Sequence, residues 1–199
     1  MSETARNKKE GRLFVVSGPS GSGKSTLCRE AVKHTAACLS VSATTRTPGP
    51  QEVEGKDYYF LSEPEFLAQA RRGKFLEYAK VFDHYYGTPA EPVRQLLRQG
   101  QTVVLEIDVQ GAAQVFAQLA EAQGILILPP HEGELRRRLC GRGRDDTHTI
   151  DKRLAKAKGE IEQARLSGCY QHTIINDELP RAIEQLVQII GPTEKSKSD

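Results

Sequence analysis

Residues 18–25 of this chain read GPSGSGKS and directly follow the apolar run LFVV at residues 13–16. A short apolar run of this kind predicts a buried strand, and residues 26–34, which contain neither Gly nor Pro, predict a helix. The order strand, glycine-rich loop, helix is the P-loop pattern. Because such a loop lies at the carboxyl end of a strand in an open parallel sheet, the pattern restricts the chain to an α/β fold.

The residue types in the loop suit a bound polyphosphate. Its glycines permit backbone conformations in which successive N–H groups turn toward phosphate oxygens. Lys24 is placed to reach the β- and γ-phosphates, and the Ser25 hydroxyl is a ligand for Mg²⁺. The predicted phosphate-binding residues are Gly18, Pro19, Ser20, Gly21, Ser22, Gly23, Lys24, Ser25 and Thr26.

Composition excludes several classes of protein. The 28 Lys and Arg nearly balance the 26 Asp and Glu, which argues against a protein that binds nucleic acid through a basic surface. No apolar run is long enough to cross a membrane, and the polar first residues do not form a secretory signal. The 4 scattered cysteines lack metal-ligand spacing. We therefore expect a cytoplasmic protein with one well-cored domain, either a monomer or a homodimer.

Strand and helix patterns alternate along most of the chain, with a short strand over residues 38–42 and a long helix over residues 149–166 among them. Such alternation predicts a three-layer α/β P-loop fold, in which helices cover both faces of a parallel sheet. The predicted core comprises residues 12–43, 92–141 and 154–191. It is interrupted by a small insertion, about residues 44–91, and by a mobile lid, about residues 142–153. Flexible tails are predicted at residues 1–11 and 192–199.

A P-loop indicates a nucleotide phosphate without specifying the reaction. Phosphoryl transfer needs a second substrate held in line, positive charge on the moving group and exclusion of water. The insertion and the lid are the segments expected to supply these. Arg142 and Arg153 bracket the lid, and an arginine fork matches phosphoryl oxygens with two parallel hydrogen bonds. Both are therefore candidates to contact the transferred group.

Further motifs resemble those of guanylate kinases. In chain order they are residues 40–48 (SVSATTRTP), 54–60 (EGKDYYF), 75–79 (FLEYA), 85–88 (YYGT), 105–111 (LEIDVQG), 142–143 (RG), 152–154 (KRL) and 175–179 (INDEL). Together with the P-loop, the resemblance covers about residues 12–190. It implies that ATP phosphorylates GMP, and also dGMP, with Mg²⁺. It also implies that the insertion binds GMP.

The resemblance implies roles for individual residues. Glu77 is expected to accept hydrogen bonds from the guanine N1–H and 2-amino group, and adenine lacks this arrangement of donors. The residues implied to bind the acceptor nucleotide are Ser42, Arg46, Tyr58, Glu77, Tyr86, Thr88, Glu106 and Asp108. For Glu106 and Asp108 the resemblance leaves open which of them holds metal-bound water, an arginine or the nucleotide. Asn176 and Asp177 are implied on the adenine side of ATP, and Lys24, Arg142 and Arg153 are the implied catalytic residues.

One stretch departs from the family pattern. Guanylate kinases have a second phosphate-binding arginine where Gly49 stands in this chain. The loss of one charged donor costs roughly 1.5–3 kcal/mol of binding, and Lys56 is a candidate to compensate. Two alternatives follow. One is a P-loop kinase for another phosphorylated acceptor, and the other is a non-catalytic, guanylate-kinase-like binding module.

Overall fold

Two sheets and seven helices make up the part of the chain that the structure, a computed structural model, describes: residues 10–81, 83–141 and 146–191. The strands are β1 (Leu13–Ser17), β2 (Cys38–Leu39), β3 (Ser42–Thr44), β4 (Tyr58–Phe60), β5 (Phe75–Val81), β6 (His84–Pro89), β7 (Val103–Glu106), β8 (Gln123–Leu128) and β9 (Tyr170–Ile175). The helices are α1 (Lys24–Lys33), α2 (Glu63–Arg71), α3 (Ala90–Arg98), α4 (Val109–Gln118), α5 (Glu132–Cys140), α6 (Thr147–Ser167) and α7 (Leu179–Ile190).

The main sheet has the strand order β2-β7-β1-β8-β9, and all of its pairings are parallel. Every residue of β1 is buried, as expected for a central strand covered on both faces. Helices α1 and α7 pack on one face through Leu27 and Leu186, and α3 and α4 pack on the other through Val93 and Val115. The predicted three-layer α/β fold is therefore confirmed, with the P-loop at the carboxyl end of the central strand.

The second sheet belongs to the predicted insertion and has the order β4-β3-β6-β5. Its small core is aromatic: the rings of Phe66 and Phe75 stack with centroids 4.5 Å apart, and Phe66 also stacks on Tyr85. Helix α2 covers this core, and it begins with a capping box formed by Ser62 and Glu65. The antiparallel pairing of β5 with β6 aligns Glu77 with Thr88, which places the implied guanine-binding residues side by side.

The prediction of one strand over residues 38–42 is wrong. Cys38 and Leu39 pair with β7 in the main sheet, whereas Ser42–Thr44 pair with β4 and β6 in the second sheet. The N–H of Ser40 still donates to the carbonyl of Val104, at 2.9 Å, so the chain leaves the main sheet after this residue. The break carries the chain from the core into the insertion.

The predicted lid is only partly visible in the described residues. Arg142 and the rest of residues 142–145 lie outside them, as do both predicted tails apart from residues 10 and 11. From Asp146 onward the chain is helical, because the Asp146 carboxylate accepts from the N–H of Thr149 at 2.7 Å and caps α6. Helix α6 therefore begins two residues before the predicted position and contains Arg153. No helix in the described part of the chain combines the length and apolar character that membrane crossing requires.

Leu186 tests the packing of α7 on the main sheet. It is fully buried, so we expect Leu186→Ala to lower the free energy of unfolding by about 2–5 kcal/mol through lost burial and a cavity. The matched control is Leu166→Ala, since Leu166 is 81% exposed and its truncation should change stability by less than about 0.5 kcal/mol. Urea unfolding followed by circular dichroism measures both. Equal losses in the two variants would contradict this account of the core.

Candidate functional site

The P-loop links β1 to α1, and its lysine folds back over it. The Lys24 ammonium donates to the carbonyls of Gly18, at 2.6 Å, and Pro19, at 3.2 Å. Desolvation lowers the pKa of Lys24, while Glu106 and Glu160 oppose this effect by favouring the charged form. The ammonium is therefore held at the loop by neutral carbonyl groups, which an anionic phosphate can replace.

Asn176 holds the loop from the other side. This residue is buried, and its amide donates to the carbonyl of Ser22 at 2.8 Å. Gly23 has a φ of 94°, and a Cβ at this position would lie 2.3 Å from the Asn176 amide nitrogen. Only glycine therefore permits this close approach. Asp177, the next residue, is exposed and lies 3.8 Å from Arg181.

Two acidic residues at the end of β7, Glu106 and Asp108, have different hydrogen-bond partners. Glu106 accepts a hydrogen bond from the Ser25 hydroxyl and therefore contacts the P-loop side. Asp108 is the N-cap of α4, where its carboxylate accepts from the N–H of Gly111 at 2.8 Å. The sequence left the roles of these two residues undivided, and their different partners now distinguish them.

Glu77 is the most enclosed acidic group of the insertion, with an exposure of 6%. Its carboxylate accepts from the Thr88 hydroxyl at 2.7 Å. Burial raises its pKa to about 7, although the Thr88 hydrogen bond acts in the opposite direction. Because the folded chain retains this proton longer than the unfolded chain, Glu77 reduces stability as the pH rises from its ordinary value of 4.5 to about 7.

Gly111 provides the space that Glu77 occupies. A Cβ on Gly111 would lie 2.4 Å from a carboxylate oxygen of Glu77, so even alanine would displace that carboxylate. Gly111 belongs to the motif at residues 105–111, but the sequence alone indicates no role for it. The two residues are 34 positions apart and lie on different elements, so the contact has no local sequence signal.

Arg46 forms a two-pronged ion pair with Glu52. Its guanidinium donates to both carboxylate oxygens of Glu52, at 2.9 and 2.7 Å, and its Cζ lies 5.5 Å from the centre of the Tyr58 ring. The N–H of Gly49 donates to the same carboxylate at 2.6 Å. These bonds lower the pKa of Glu52 to about 2 and raise that of Arg46. Glu52 was not among the predicted site residues, although it follows Arg46 by only six positions.

A cavity of about 380 Å³ joins the P-loop, the insertion and α6. Its walls include nine predicted site residues: Gly18, Ser20, Lys24, Ser42, Tyr58, Glu77, Tyr86, Glu106 and Asp108. Two charged residues of its lining were not predicted, Lys156 and Glu160 on α6. Arg46 and Thr88 are not in the lining but contact Tyr58 and Glu77, which are. Asn176 contacts the P-loop at Ser22. The structure thus brings both halves of the predicted site to one space.

Two arginines, Arg153 on α6 and Arg138 on α5, are partly buried. Arg138 on α5 donates to Glu134 at 2.7 Å and to the carbonyl of Asn176 at 2.8 Å. One of its terminal nitrogens is buried and has no hydrogen-bond partner among the described residues. The sequence alone does not distinguish Arg138 from its exposed neighbours, because residues 136–138 are three consecutive arginines.

A larger hollow of about 870 Å³ lies near the amino end of β1, away from the P-loop. Its lining balances Arg12, Arg94 and Arg98 against Glu10, Glu91 and Glu121. Arg98 is paired with Glu91 at 2.5 Å. This hollow contains neither a glycine-rich loop nor an excess of positive charge, so it does not provide an anion site of the kind that the P-loop forms.

Comparisons with known proteins identify the family of the chain. The family model described as Guanylate kinase matches residues 10–192. A guanylate kinase from Caldanaerobacter subterraneus subsp. tengcongensis is 47% identical over 184 residues, which are 92% of this chain and 88% of that protein. One from Neisseria meningitidis serogroup A is 46% identical over 191 residues, which are 96% of this chain and 92% of the relative.

A solved structure gives the same result. The crystal structure of guanylate kinase from Anaplasma phagocytophilum has a TM-score of 0.74 and 31% identity, and the match covers 92% of this chain and 86% of that one. The resemblance predicted from the motifs is thereby confirmed over the length expected. The chain belongs to the guanylate kinase family, nucleoside monophosphate kinases that transfer a phosphoryl group from ATP to GMP.

Proposed function

We propose that this protein phosphorylates GMP, and also dGMP, in the cavity between the P-loop and the insertion, with ATP as donor. The observation that carries this proposal is the position of Glu77, an enclosed carboxylate that lines the same cavity as the P-loop lysine. A cytoplasmic location and a monomeric or homodimeric state stay predictions.

Glu77 selects the base in this proposal. Its carboxylate accepts the guanine N1–H and 2-amino donors, and Ser42 and Thr88 donate toward the guanine O6. The Thr88 hydroxyl also donates to Glu77, at 2.7 Å, which orients the carboxylate. AMP lacks this pair of donors, so the enclosed carboxylate would keep only the Thr88 hydrogen bond, and this difference gives the selectivity.

Arg46, Tyr58 and Tyr86 hold the acceptor phosphate. Their clustering supports this role, since Arg46 lies over the Tyr58 ring and the rings of Tyr58 and Tyr86 meet edge to face with centroids 6.2 Å apart. The acceptor phosphate has to compete with Glu52 for the Arg46 fork. Neither Gly49 nor Lys56 supplies a replacement cation at this point. Gly49 contributes only its N–H to Glu52, and Lys56 is exposed and outside the cavity lining.

The P-loop holds the donor. Its N–H groups and the Lys24 ammonium bind the β- and γ-phosphates, and the amino end of α1 adds its positive dipole. We place adenine beside Asn176, Asp177 and Arg138. The buried donor of Arg138 and the contact of its guanidinium with the Asn176 carbonyl support this side of the loop.

In the transfer step, an oxygen of the GMP phosphate forms a bond to the γ-phosphorus of ATP. The bond to the β–γ bridging oxygen breaks, and ADP leaves with that electron pair. Lys24, Arg142 and Arg153 compensate the charge on the moving group, and no covalent enzyme intermediate forms. Glu106 and Asp108 orient the groups around the phosphates from the end of β7. Closure of the lid and insertion excludes water.

The residues beside the P-loop suit Mg²⁺. The Ser25 hydroxyl and the Glu106 carboxylate are hard oxygen donors in direct contact with each other, which meets the preference of this ion for oxygen. No group of three or more acidic, His or Cys side chains arranged for a metal occurs among the described residues. This is consistent with an ion bound mainly by phosphates and water. When bound, Mg²⁺ offsets phosphate charge, and Ser25 would hold it.

The first prediction tests base selection by Glu77. We expect Glu77→Gln to lower kcat/KM for GMP by about 100-fold or more, because the amide cannot accept both guanine donors. A coupled assay with GMP, dGMP, AMP, CMP, UMP and ribose bisphosphate measures the selectivity. Glu121→Gln, at an exposed site outside the cavity, is the matched control and should match the wild type. Unchanged preference for GMP over AMP in the Glu77 variant would remove the basis of the proposal.

The second prediction concerns pH. The pKa of Glu77 is raised to about 7, and GMP needs the ionised form, so KM for GMP should rise by up to about tenfold per pH unit as the pH falls below 7. The phosphate of GMP also titrates in this range, and the Glu77→Gln variant corrects for it because it retains only that titration. A wild-type profile that parallels the variant at every pH would contradict a functional ionisation of Glu77.

The third prediction isolates the role of Lys24. We expect Lys24→Met to reduce kcat by about 100-fold or more, since the variant loses the ammonium that meets the developing phosphoryl charge. Lys33→Met, on the same helix, is the control because its side chain is 63% exposed and paired with Glu30. Steady-state GDP production measures both. Full GDP production by the Lys24 variant would refute this role.

A further inference from the structure

The walls of the central cavity carry more negative than positive charge. The carboxylates in its lining belong to Glu77, Glu106, Asp108 and Glu160. Among the described lining residues, the cations are Lys24 and Lys156. Two nucleotides add several further negative charges to this space, so each lining cation has a large effect on binding.

Lys156 lies on the face of α6 that meets this cavity. It follows Arg153 by three residues and precedes Glu160 by four, so these three side chains share one side of the helix. Its ammonium is 3.5 Å from a Glu160 carboxylate oxygen, with side-chain exposures of 47% for Lys156 and 10% for Glu160. This separation is long for a hydrogen bond, so the ammonium keeps donors for another anion.

The two lysines of the cavity are used differently. Lys24 donates to two P-loop carbonyls, whereas the Lys156 ammonium lies 3.5 Å from the Glu160 carboxylate. Glu160 interacts electrostatically with both ammonium groups, and its pKa is raised because burial outweighs their attraction. Arg46, which is proposed to hold the acceptor phosphate, forms an ion pair with Glu52. Lys156 is thus the lining cation that neither the P-loop nor the insertion engages.

We infer that Lys156 is a further substrate-binding residue, whose ammonium binds phosphate oxygens of the acceptor nucleotide. The inference rests on the proposed function, because it requires a nucleoside monophosphate in this cavity. The P-loop supplies its own donors to the triphosphate, and Lys156 supplies charge to the second phosphate from the lid side. Its ion pair with Glu160 keeps the lysine at the cavity until the nucleotide binds.

Lys156→Gln and Lys158→Gln form the test pair. Both remove one charge from α6, but Lys158 is exposed and lines a separate groove between α5 and α6. Titration calorimetry measures the Kd of GMP, guanosine and ATP for each variant. We expect Lys156→Gln to weaken GMP binding by about tenfold and to leave guanosine and ATP within about twofold. Lys158→Gln should match the wild type, and Lys156→Arg should retain most of the GMP affinity.

The outcomes separate the inference from the proposed function. Equal GMP affinity of the Lys156→Gln and Lys158→Gln variants would overturn the inference, as would an equal loss for GMP and guanosine, which have the base in common. Weakened ATP binding with normal GMP binding would overturn the acceptor assignment. In each of these cases, wild-type GDP production that depends on Glu77 would leave the proposed function intact.

Discussion

Two charged groups of opposite sign, Lys24 and Glu77, line one cavity, and the site depends on their not pairing with each other. Each is satisfied locally instead. Lys24 donates to Gly18 and Pro19, and Glu77 accepts from Thr88. Because these partners are neutral, an incoming phosphate or guanine replaces a modest hydrogen bond rather than a full ion pair. Lys24 lies at the start of α1 and Glu77 lies on the second sheet, so the two groups line the cavity from different elements.

The division of the chain into a parallel core and an insertion could be predicted from sequence because its signals are local. Apolar runs and the glycines of the P-loop each lie within a few residues of the structure that they specify. The break at residues 40–41 could not be predicted in this way. Two short strands in different sheets follow one another without a turn residue, so the pattern looks like one strand.

Some residues of the site could be predicted from local motifs, whereas others could not, because their contacts join distant parts of the chain. Motif residues such as Ser42, Glu77 and Tyr86 converge on the cavity as expected. The space that Gly111 leaves for Glu77, and the contact of Arg138 with Asn176, depend on elements far apart in the chain. Lys156 and Glu160 resemble ordinary residues of a charged helix until the fold shows which face of α6 meets the cavity.

The ion pair between Arg46 and Glu52 limits the affinity that Arg46 can contribute toward an acceptor phosphate. The Arg46 fork is already bound to Glu52, so a phosphate exchanges one anionic partner for another and gains only the difference between them. The benefit of the Glu52 pair is an ordered arginine, since less side-chain freedom is lost when the phosphate arrives. Recognition of the base is not reduced in this way, because the resting partner of Glu77 is a neutral hydroxyl. In the proposed function, selectivity for guanine therefore depends more on Glu77 than on the phosphate contacts, which any nucleoside monophosphate can make.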